Sequence, residues 1–173
     1  MKIFFNKKRL IKEIQNTKDL GFVPTMGSIH KGHLSLIKKS KKLSSKTIVS
    51  IFVNKPQFNN KNDFKKYPRS IKKDINLLKK SKINYLYLPS AKEIYPHGRN
   101  KNIKISKWKK ILCGKNRKGH FEAVVDVVDR FIKIIKPSQI YLGEKDFQQF
   151  AILREFIIKN KIKTKPVICP TIR

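Results

Sequence analysis

A nearly continuous apolar run at residues 47–53 constrains the fold of this chain more than any other segment. The run is rich in β-branched residues, and polar and apolar side chains do not alternate along it. A strand of this kind is buried on both faces, which is typical of the centre of a parallel sheet. Parallel strands need crossover connections, which are usually helices. The segment therefore predicts an α/β fold.

Patterns typical of helices and of strands alternate along the rest of the chain. Apolar residues recur at helical spacing in residues 7–15, 33–43, 70–81 and 121–135 and in a last segment that ends at residue 158. Short apolar runs predict strands at residues 21–23, 84–88 and 138–142 and near residue 167. This alternation predicts a doubly wound parallel sheet. Pro24 cannot donate a ladder hydrogen bond and is expected to end its strand, and the polar residues 59–63 predict a loop.

The length and composition favour one globular domain. A chain of 173 residues, 39% of them hydrophobic, buries about 70% of its unfolded surface without disulfides. Its two cysteines, Cys113 and Cys169, make neither a disulfide framework nor a metal cluster. No apolar run approaches the roughly 18 residues of a membrane helix, and no signal peptide is apparent. We therefore expect a cytoplasmic protein without a membrane partner.

The formal net charge of +31 admits two explanations. A basic surface of this size attracts nucleic acid or anionic lipid without specificity. However, only seven of the 42 basic residues are arginine, and the lysines are spread along every segment. Because lysine, asparagine and isoleucine share AT-rich codons, compositional bias explains the charge without a nucleic-acid partner. We adopt that hypothesis and keep a non-enzymatic, basic nucleic-acid-binding module as an alternative.

Two histidines lie where the strand at residues 21–23 leads into the next helix. Gly27 permits a tight turn, and His30 and His33 fall on one face of the first helical turn. The unpaired N–H groups and the dipole of a helix start favour an anion there. Gly32 leaves room for a ligand against the backbone. The spacing indicates a phosphate site, although histidines three residues apart also occur as ordinary surface or core pairs.

Two polar loops follow other predicted strands, at the positions where open α/β sheets bind ligands. The first contains Asn54 and Gln57, whose amides suit a polar substrate that carries a carboxylate. In the second, Lys145 can meet a phosphate, Asp146 can accept from ribose hydroxyls, and Gln149 lies one helical turn further on. Each loop, taken alone, is also compatible with ordinary solvated structure.

Several motifs occur together along the chain. They are Pro24-Thr25-Met26-Gly27 with His30-x-Gly32-His33, Ser50-Ile51-Phe52-Val53-Asn54, Tyr67-Pro68-Arg69, Gly119-His120-Phe121 and Gly143-Glu144-Lys145-Asp146-Phe147-Gln148-Gln149. In this order they resemble the pantoate–β-alanine ligase (pantothenate synthetase) family, and the resemblance extends to Arg173. It implies a Rossmann-like nucleotidyltransferase fold. The two-histidine HxGH motif alone is shared with a wider superfamily, so another nucleotidyltransferase remains a further alternative.

The resemblance implies a two-step reaction with ATP and the Mg²⁺ typical of the family. The carboxylate of pantoate attacks the α-phosphorus to give pantoyl adenylate, and the amine of β-alanine then displaces AMP to form pantothenate. By resemblance, His33 is the proton donor, His30 and Lys145 stabilise charge, Gln57 and Gln149 bind pantoate, and Gln57 also lies near β-alanine. The implied ATP contacts are Met26, Gly27, Ser28, Ile29, His30, Lys31, Gly32, His33, Gly143, Glu144, Lys145, Asp146 and Ile172.

The resemblance also implies features outside the site. It suggests a homodimer formed through this domain, and family members usually continue past the position of Arg173 into a smaller C-terminal domain that helps to close the active site. We therefore expect residues 1–173 to form a single domain that binds ATP and pantoate and, without the smaller domain, turns over poorly. Glu122 departs from the family pattern, which usually has an arginine at that position.

Overall fold

Six parallel strands form the centre of the molecule. The computed structural model describes residues 1–105, 115 and 117–172, so Cys113 and Arg173 lie outside the described residues. The strands are β1 (Lys2–Phe4), β2 (Leu20–Thr25), β3 (Lys46–Ile51), β4 (Tyr85–Tyr87), β5 (Gln139–Gly143) and β6 (Lys165–Cys169). They are arranged in the order β1-β4-β3-β2-β5-β6. The apolar run at residues 47–53 supplies β3, an interior strand, as its uninterrupted hydrophobicity predicts.

Helices cover both faces of this sheet, which confirms the doubly wound prediction. They are α1 (Lys7–Ile14), α2 (Lys31–Leu43), α3 (Lys61–Lys66), α4 (Ile71–Lys80), α5 (Ala91–Ile94), α6 (His120–Ile135) and α7 (Phe147–Lys159). Alternate residues of the strands β2, β3, β4 and β5 enter two apolar clusters on opposite faces of the sheet. Leu10, Phe131 and Leu153 represent the helices α1, α6 and α7 in one cluster, whereas Ile37 and Leu78 represent α2 and α4 in the other.

The prediction that the first strand stops at Pro24 is wrong, since β2 continues to Thr25. The Thr25 carbonyl accepts a hydrogen bond from the Phe52 N–H on the β3 side. Neighbouring residues direct their backbone groups to opposite sides of a strand, so the Pro24 nitrogen points toward β5. There the ladder pairs only Gly21 and Phe22 of β2. Proline is tolerated because no ladder partner needs its missing N–H.

Other elements also differ from the predictions. Helix α3 begins inside the predicted loop because the Asn60 side chain accepts from the Asn62 N–H at 2.7 Å and caps the helix. Strand β1 has no counterpart among the predicted elements. It is three residues long and pairs with β4 at the sheet edge, so its sequence carries little of the apolar pattern of a central strand.

Helix α6 packs across the sheet and forms one wall of the region above it. Twelve of its sixteen residues are buried, which confirms that its apolar stripe belongs to the core. The Phe131 ring lies 5.6 Å from Phe22, 6.1 Å from Phe52 and 6.0 Å from Tyr87, measured between ring centroids. In the part of the chain that the structure describes, no helix has the length and hydrophobicity needed to cross a membrane.

Candidate active site

The turn between β2 and α2 is held by its own side chains. The Thr25 hydroxyl accepts from the Gly27 N–H at 3.1 Å and donates to the Ser50 carbonyl at 2.8 Å. Gly27 has a φ of +84°, and a Cβ there would lie 3.0 Å from an Asp74 carboxylate oxygen. Glycine is therefore required both by the backbone conformation and by the space available.

Asp74 of helix α4 fixes the rest of this turn, and sequence reasoning missed it. Its two carboxylate oxygens accept from the Ser28 N–H at 2.9 Å and the Ile29 N–H at 2.8 Å. Asp74 is 2% exposed. The signal that could have found it is a carboxylate at helical spacing between Ile71 and Leu78, on the face otherwise predicted to be apolar.

His30 and His33 lie side by side at the start of α2, as the spacing predicts. Their ring centroids are 4.1 Å apart. His30 caps the helix, and its Nδ1 accepts from the Gly32 N–H at 3.1 Å. A Cβ at residue 32 would lie 2.9 Å from the His30 ring, so glycine permits this close approach. The neutral His30 ring consequently carries its proton on Nε2.

His33 has a different electrostatic environment. Burial and the neighbouring His30 lower its pKa from 6.5 to about 4, although the Asp74 carboxylate acts in the opposite direction. The buried Nδ1 of His33 has no hydrogen-bond partner within the described residues. His33 is therefore a neutral imidazole near pH 7.

Two cavities meet at these histidines, above the carboxyl ends of β2 and β5. The first has a volume of about 330 Å³ and the second about 260 Å³. The two cavities share six lining residues: Pro24, His30, His33, Leu142, Asp146 and Gln149. In the strand order, β2 is flanked by β3 on one side and β5 on the other, so the cavities lie at the switch point where doubly wound sheets bind ligands.

The predicted site residues divide between the cavities. Met26 and Gln57 line the first one, whereas Gly32, Gly143, Lys145 and Ile172 line the second. Five predicted ATP contacts line neither cavity: Gly27, Ser28, Ile29, Lys31 and Glu144. Of these, Gly27, Ser28 and Ile29 belong to the turn held by Thr25 and Asp74, whereas the side chains of Lys31 and Glu144 are exposed.

Gln57 is oriented by a hydrogen bond from Asn54. The Asn54 amide donates to Gln57 Oε1 at 3.0 Å and to the Ala123 carbonyl at 3.2 Å, and its oxygen accepts from the Tyr95 hydroxyl at 2.8 Å. Asn54 is 1% exposed, so the amide that was predicted to meet a substrate instead makes its hydrogen bonds within the protein. Gln57 Oε1 accepts one hydrogen bond in this way, and the amide N–H groups of Gln57 are donors that a ligand could use.

The family model described as pantoate-beta-alanine ligase matches residues 3–173. The chain belongs to the pantoate–β-alanine ligase family. Curated members named pantothenate synthetase include those of Pseudothermotoga lettingae, 40% identical over 96% of this chain and 59% of its own length, and of Francisella tularensis subsp. novicida, 44% identical over 96% and 63%. The chain thus spans about 60% of the length of these relatives.

Solved structures of the ligase family have the same fold. Pantothenate synthetase from Thermus thermophilus superposes with a TM-score of 0.95 at 32% identity, over 100% of this chain and 63% of that one. The ligase from Francisella tularensis gives a TM-score of 0.93 at 42% identity, over 100% and 68%, and that structure is a complex with beta-gamma ATP and β-alanine. The α/β nucleotidyltransferase-like fold is therefore shown.

Sequence reasoning assigned no role to three further residues that line the first cavity. These are Tyr67, Arg117 and His120. Tyr67 and His120 belong to motifs on which the ligase resemblance rests, but no local pattern indicates that they point into a cavity. His120 is placed by the fold, since its Nδ1 lies 2.7 Å from the Gln57 carbonyl.

Proposed function

We propose that this chain carries the catalytic centre for the ATP-dependent condensation of pantoate with β-alanine through pantoyl adenylate. The observation that carries the proposal is the pair of cavities joined at His30, His33, Asp146 and Gln149. A carboxylate that attacks an α-phosphorus and displaces pyrophosphate must lie next to the nucleotide, so the reaction needs two adjacent sites. The cavity pair supplies adjacent sites at a helix start, where negative charge is favoured.

In this proposal ATP occupies the second cavity and pantoate the first. Lys145 and Asp146 would contact phosphates and ribose, and the backbone near Ile172 would contact adenine. Gln57 and Gln149 would bind pantoate, with Gln57 also close to β-alanine. The carboxylate then lies beside His30, whose Nε2–H can donate to charge that develops on the phosphates. Lys145 would contribute a mobile positive charge to the same transition state.

The proton-donor role of His33 depends on bound phosphate. In the protein alone His33 is neutral, so it offers one N–H as a hydrogen-bond donor and no surplus proton. The negative charge of ATP beside the ring favours the imidazolium and raises its pKa. We therefore propose that the nucleotide itself prepares His33 to act as a proton donor.

Mg²⁺ fits this site as a companion of ATP. Among the described residues, no group of three His, Cys, Asp or Glu side chains could hold a metal alone. Mg²⁺ in such sites takes phosphate oxygens, waters and one or two carboxylates. Asp146 lines both cavities and is the carboxylate that would face it. Bound there, Mg²⁺ would neutralise charge on the phosphates.

Further parts of the proposal rest on resemblance to the family. We propose a homodimeric, cytoplasmic enzyme without a specific nucleic-acid or membrane partner. We also propose that residues 1–173 act as one nucleotide- and pantoate-binding domain that works best with the smaller domain of the family closed over it.

Isotope transfer tests this function. Pantoate labelled with ¹⁸O in its carboxylate is incubated with ATP, Mg²⁺ and β-alanine, and AMP and pantothenate are analysed by mass spectrometry. Passage through pantoyl adenylate places one ¹⁸O atom in the phosphate of AMP. Gln57→Ala should suppress the product, whereas Gln15→Ala, an exposed glutamine at the end of α1, should not. AMP release that ignores pantoate would instead favour another nucleotidyltransferase of the superfamily.

A further inference from the structure

His120 is an unassigned histidine in the wall of the first cavity. It is the first residue of α6 and is 4% exposed, and it lines the cavity that contains Gln57 but not the second cavity. Its Nδ1 lies 2.7 Å from the Gln57 carbonyl. Because a carbonyl oxygen only accepts, Nδ1 must carry the hydrogen of this bond. In the neutral ring, Nε2 is then the acceptor nitrogen.

His30 has the opposite tautomer in the same cavity. Its Nδ1 accepts from the Gly32 N–H, so its Nε2 is a hydrogen-bond donor. The first cavity is therefore lined by two histidines with opposite roles. His30, which also lines the second cavity, can donate a hydrogen bond, whereas His120, beside Gln57, can accept a proton. With a pKa of about 4, the third histidine, His33, is a weak base.

Burial favours a neutral His120 ring, which can accept a proton. Burial lowers its pKa, the hydrogen bond to Gln57 opposes this, Arg117 lowers the pKa further, and the carboxylates of Asp146 and Glu122 raise it. Tyr67 is a further titratable group in the cavity wall. Arg117 also disfavours a second cation in the cavity, which makes a bound ammonium group a stronger acid.

The second step of the proposed reaction needs a group that accepts a proton from β-alanine. A primary ammonium has a pKa near 10.4, so roughly one amine molecule in a few thousand is unprotonated at pH 7. An ammonium nitrogen has no lone pair with which to attack an acyl adenylate. The reaction must therefore remove a proton from β-alanine before the new bond forms.

We propose that His120 is the general base that deprotonates the ammonium of β-alanine in the second step, an inference that rests on the proposed function. His120 Nε2 takes one proton from the ammonium. The freed lone pair attacks the carbonyl carbon of pantoyl adenylate, the N–C bond forms, and the bond from that carbon to the phosphate oxygen breaks. AMP leaves with that electron pair, and its phosphate accepts the second proton lost by the nitrogen.

The test uses chemically prepared pantoyl adenylate, so that it does not depend on the ATP step. Single-turnover aminolysis is compared for the unmodified protein, His120→Asn and His120→Gln. Asparagine retains a donor for the Gln57 carbonyl and removes Nε2. His97→Asn, at an exposed histidine, is the matched control. Each protein is assayed with β-alanine and with hydroxylamine, an amine that is largely unprotonated at neutral pH and needs no base before it attacks.

We expect His120→Asn to slow aminolysis by β-alanine about 10²-fold or more, the usual contribution of a general base. The rate with hydroxylamine should stay close to that of the unmodified protein, and His97→Asn should change neither rate. Equal losses with both amines would overturn the inference and make His120 a positioning residue, as would an undiminished rate with β-alanine. Failure of the unmodified protein to use pantoate and ATP, with aminolysis intact, would instead contradict the proposed function.

Discussion

His33 is kept neutral by its surroundings, although it stands in a strongly basic chain beside a site proposed for phosphates. Burial removes the ring from solvent, and His30 lies with its ring centroid 4.1 Å away. Both effects disfavour the imidazolium. The charge of His33 therefore becomes a function of ligand binding.

A pH titration tests the state of His33. We expect an NMR pKa near 4 in the protein alone and a higher value with ATP bound. Because the unfolded chain takes up this proton near pH 6.5 and the folded chain near pH 4, stability should rise with pH between these values and change little above them. In urea unfolding His33→Asn should flatten this rise, whereas His97→Asn should retain it. A measured pKa near 6.5 would contradict the account.

Asp74→Asn tests the role of the carboxylate that holds the turn between β2 and α2. The asparagine can accept one of the two backbone N–H bonds from Ser28 and Ile29 and leaves the other donor unsatisfied. We expect a loss of about 1–3 kcal/mol in the free energy of unfolding, together with weaker ATP binding. Urea unfolding and nucleotide titration measure the two effects. Asp63→Asn, at an exposed position of α3, should change neither of them.

The sequence predicts the two histidines at the start of α2 better than it predicts the side chains that act on distant parts of the site. His30 and His33 were recognisable because histidine and glycine at a helix start carry a specific physical meaning. Asp74 and His120 were not, because each acts on a residue at least 45 positions away, Asp74 on Ile29 and His120 on Gln57. Contacts of that kind depend on the tertiary structure and leave no local pattern.

Three elements meet at Gln57. Tyr95 follows α5, Asn54 follows β3, and Gln57 ends a turn of 3-10 helix, and hydrogen bonds link them in that order. The Arg130 guanidinium of α6 stacks on Tyr95 at 4.6 Å from the ring centroid and donates to the Ile94 carbonyl. The hydrogen bonds from Tyr95 through Asn54 therefore hold Gln57, the proposed pantoate contact, in its orientation.

Tyr95→Phe tests whether this network positions Gln57. The change removes the hydroxyl that donates to Asn54 Oδ1 and should destabilise the fold by about 1–3 kcal/mol. We expect KM for pantoate to rise more than kcat falls. Tyr87→Phe removes another partly buried hydroxyl, which donates to Glu93, and should lower stability without raising KM for pantoate. Equal effects of the two variants on KM would exclude a specific role for Tyr95.

Elements that are long or buried followed from the sequence, whereas β1 and α5 did not. The pattern of β3 and α6 is set by burial on nearly every side, so it dominates the local sequence. Strand β1 and helix α5 are three and four residues long and owe their structure to their neighbours. Pro24 misled the prediction because its effect depends on which side of β2 lacks a partner.

At the level of the whole molecule, several of the few acidic residues have structural roles. Of eleven Asp and Glu residues, Asp74 holds a turn, Glu93 accepts from the Lys7 N–H at the start of α1, and Asp126 and Asp129 pair with basic side chains of α6. Compositional bias would remove Asp and Glu residues from positions where they have no structural role and leave those that have one. This distribution supports bias as the origin of the +31 charge.

Nucleic-acid binding tests that interpretation. At about 0.15 M salt we expect affinity for RNA or duplex DNA no tighter than micromolar, with no sequence preference and a steep salt dependence. Fluorescence anisotropy with two unrelated duplexes measures this, and Gln57→Ala should bind them unchanged. Nanomolar affinity for one sequence would contradict the interpretation and revive a nucleic-acid partner.

Pantoate-dependent exchange of labelled pyrophosphate into ATP tests most directly whether the two adjacent cavities act as one catalytic centre. Exchange requires a carboxylate in the first cavity to reach the α-phosphorus of a nucleotide in the second. We predict exchange that requires both pantoate and Mg²⁺ and that falls about 10²-fold or more in His33→Ala. Exchange that proceeds equally without pantoate, or that is undiminished in His33→Ala, would contradict the account.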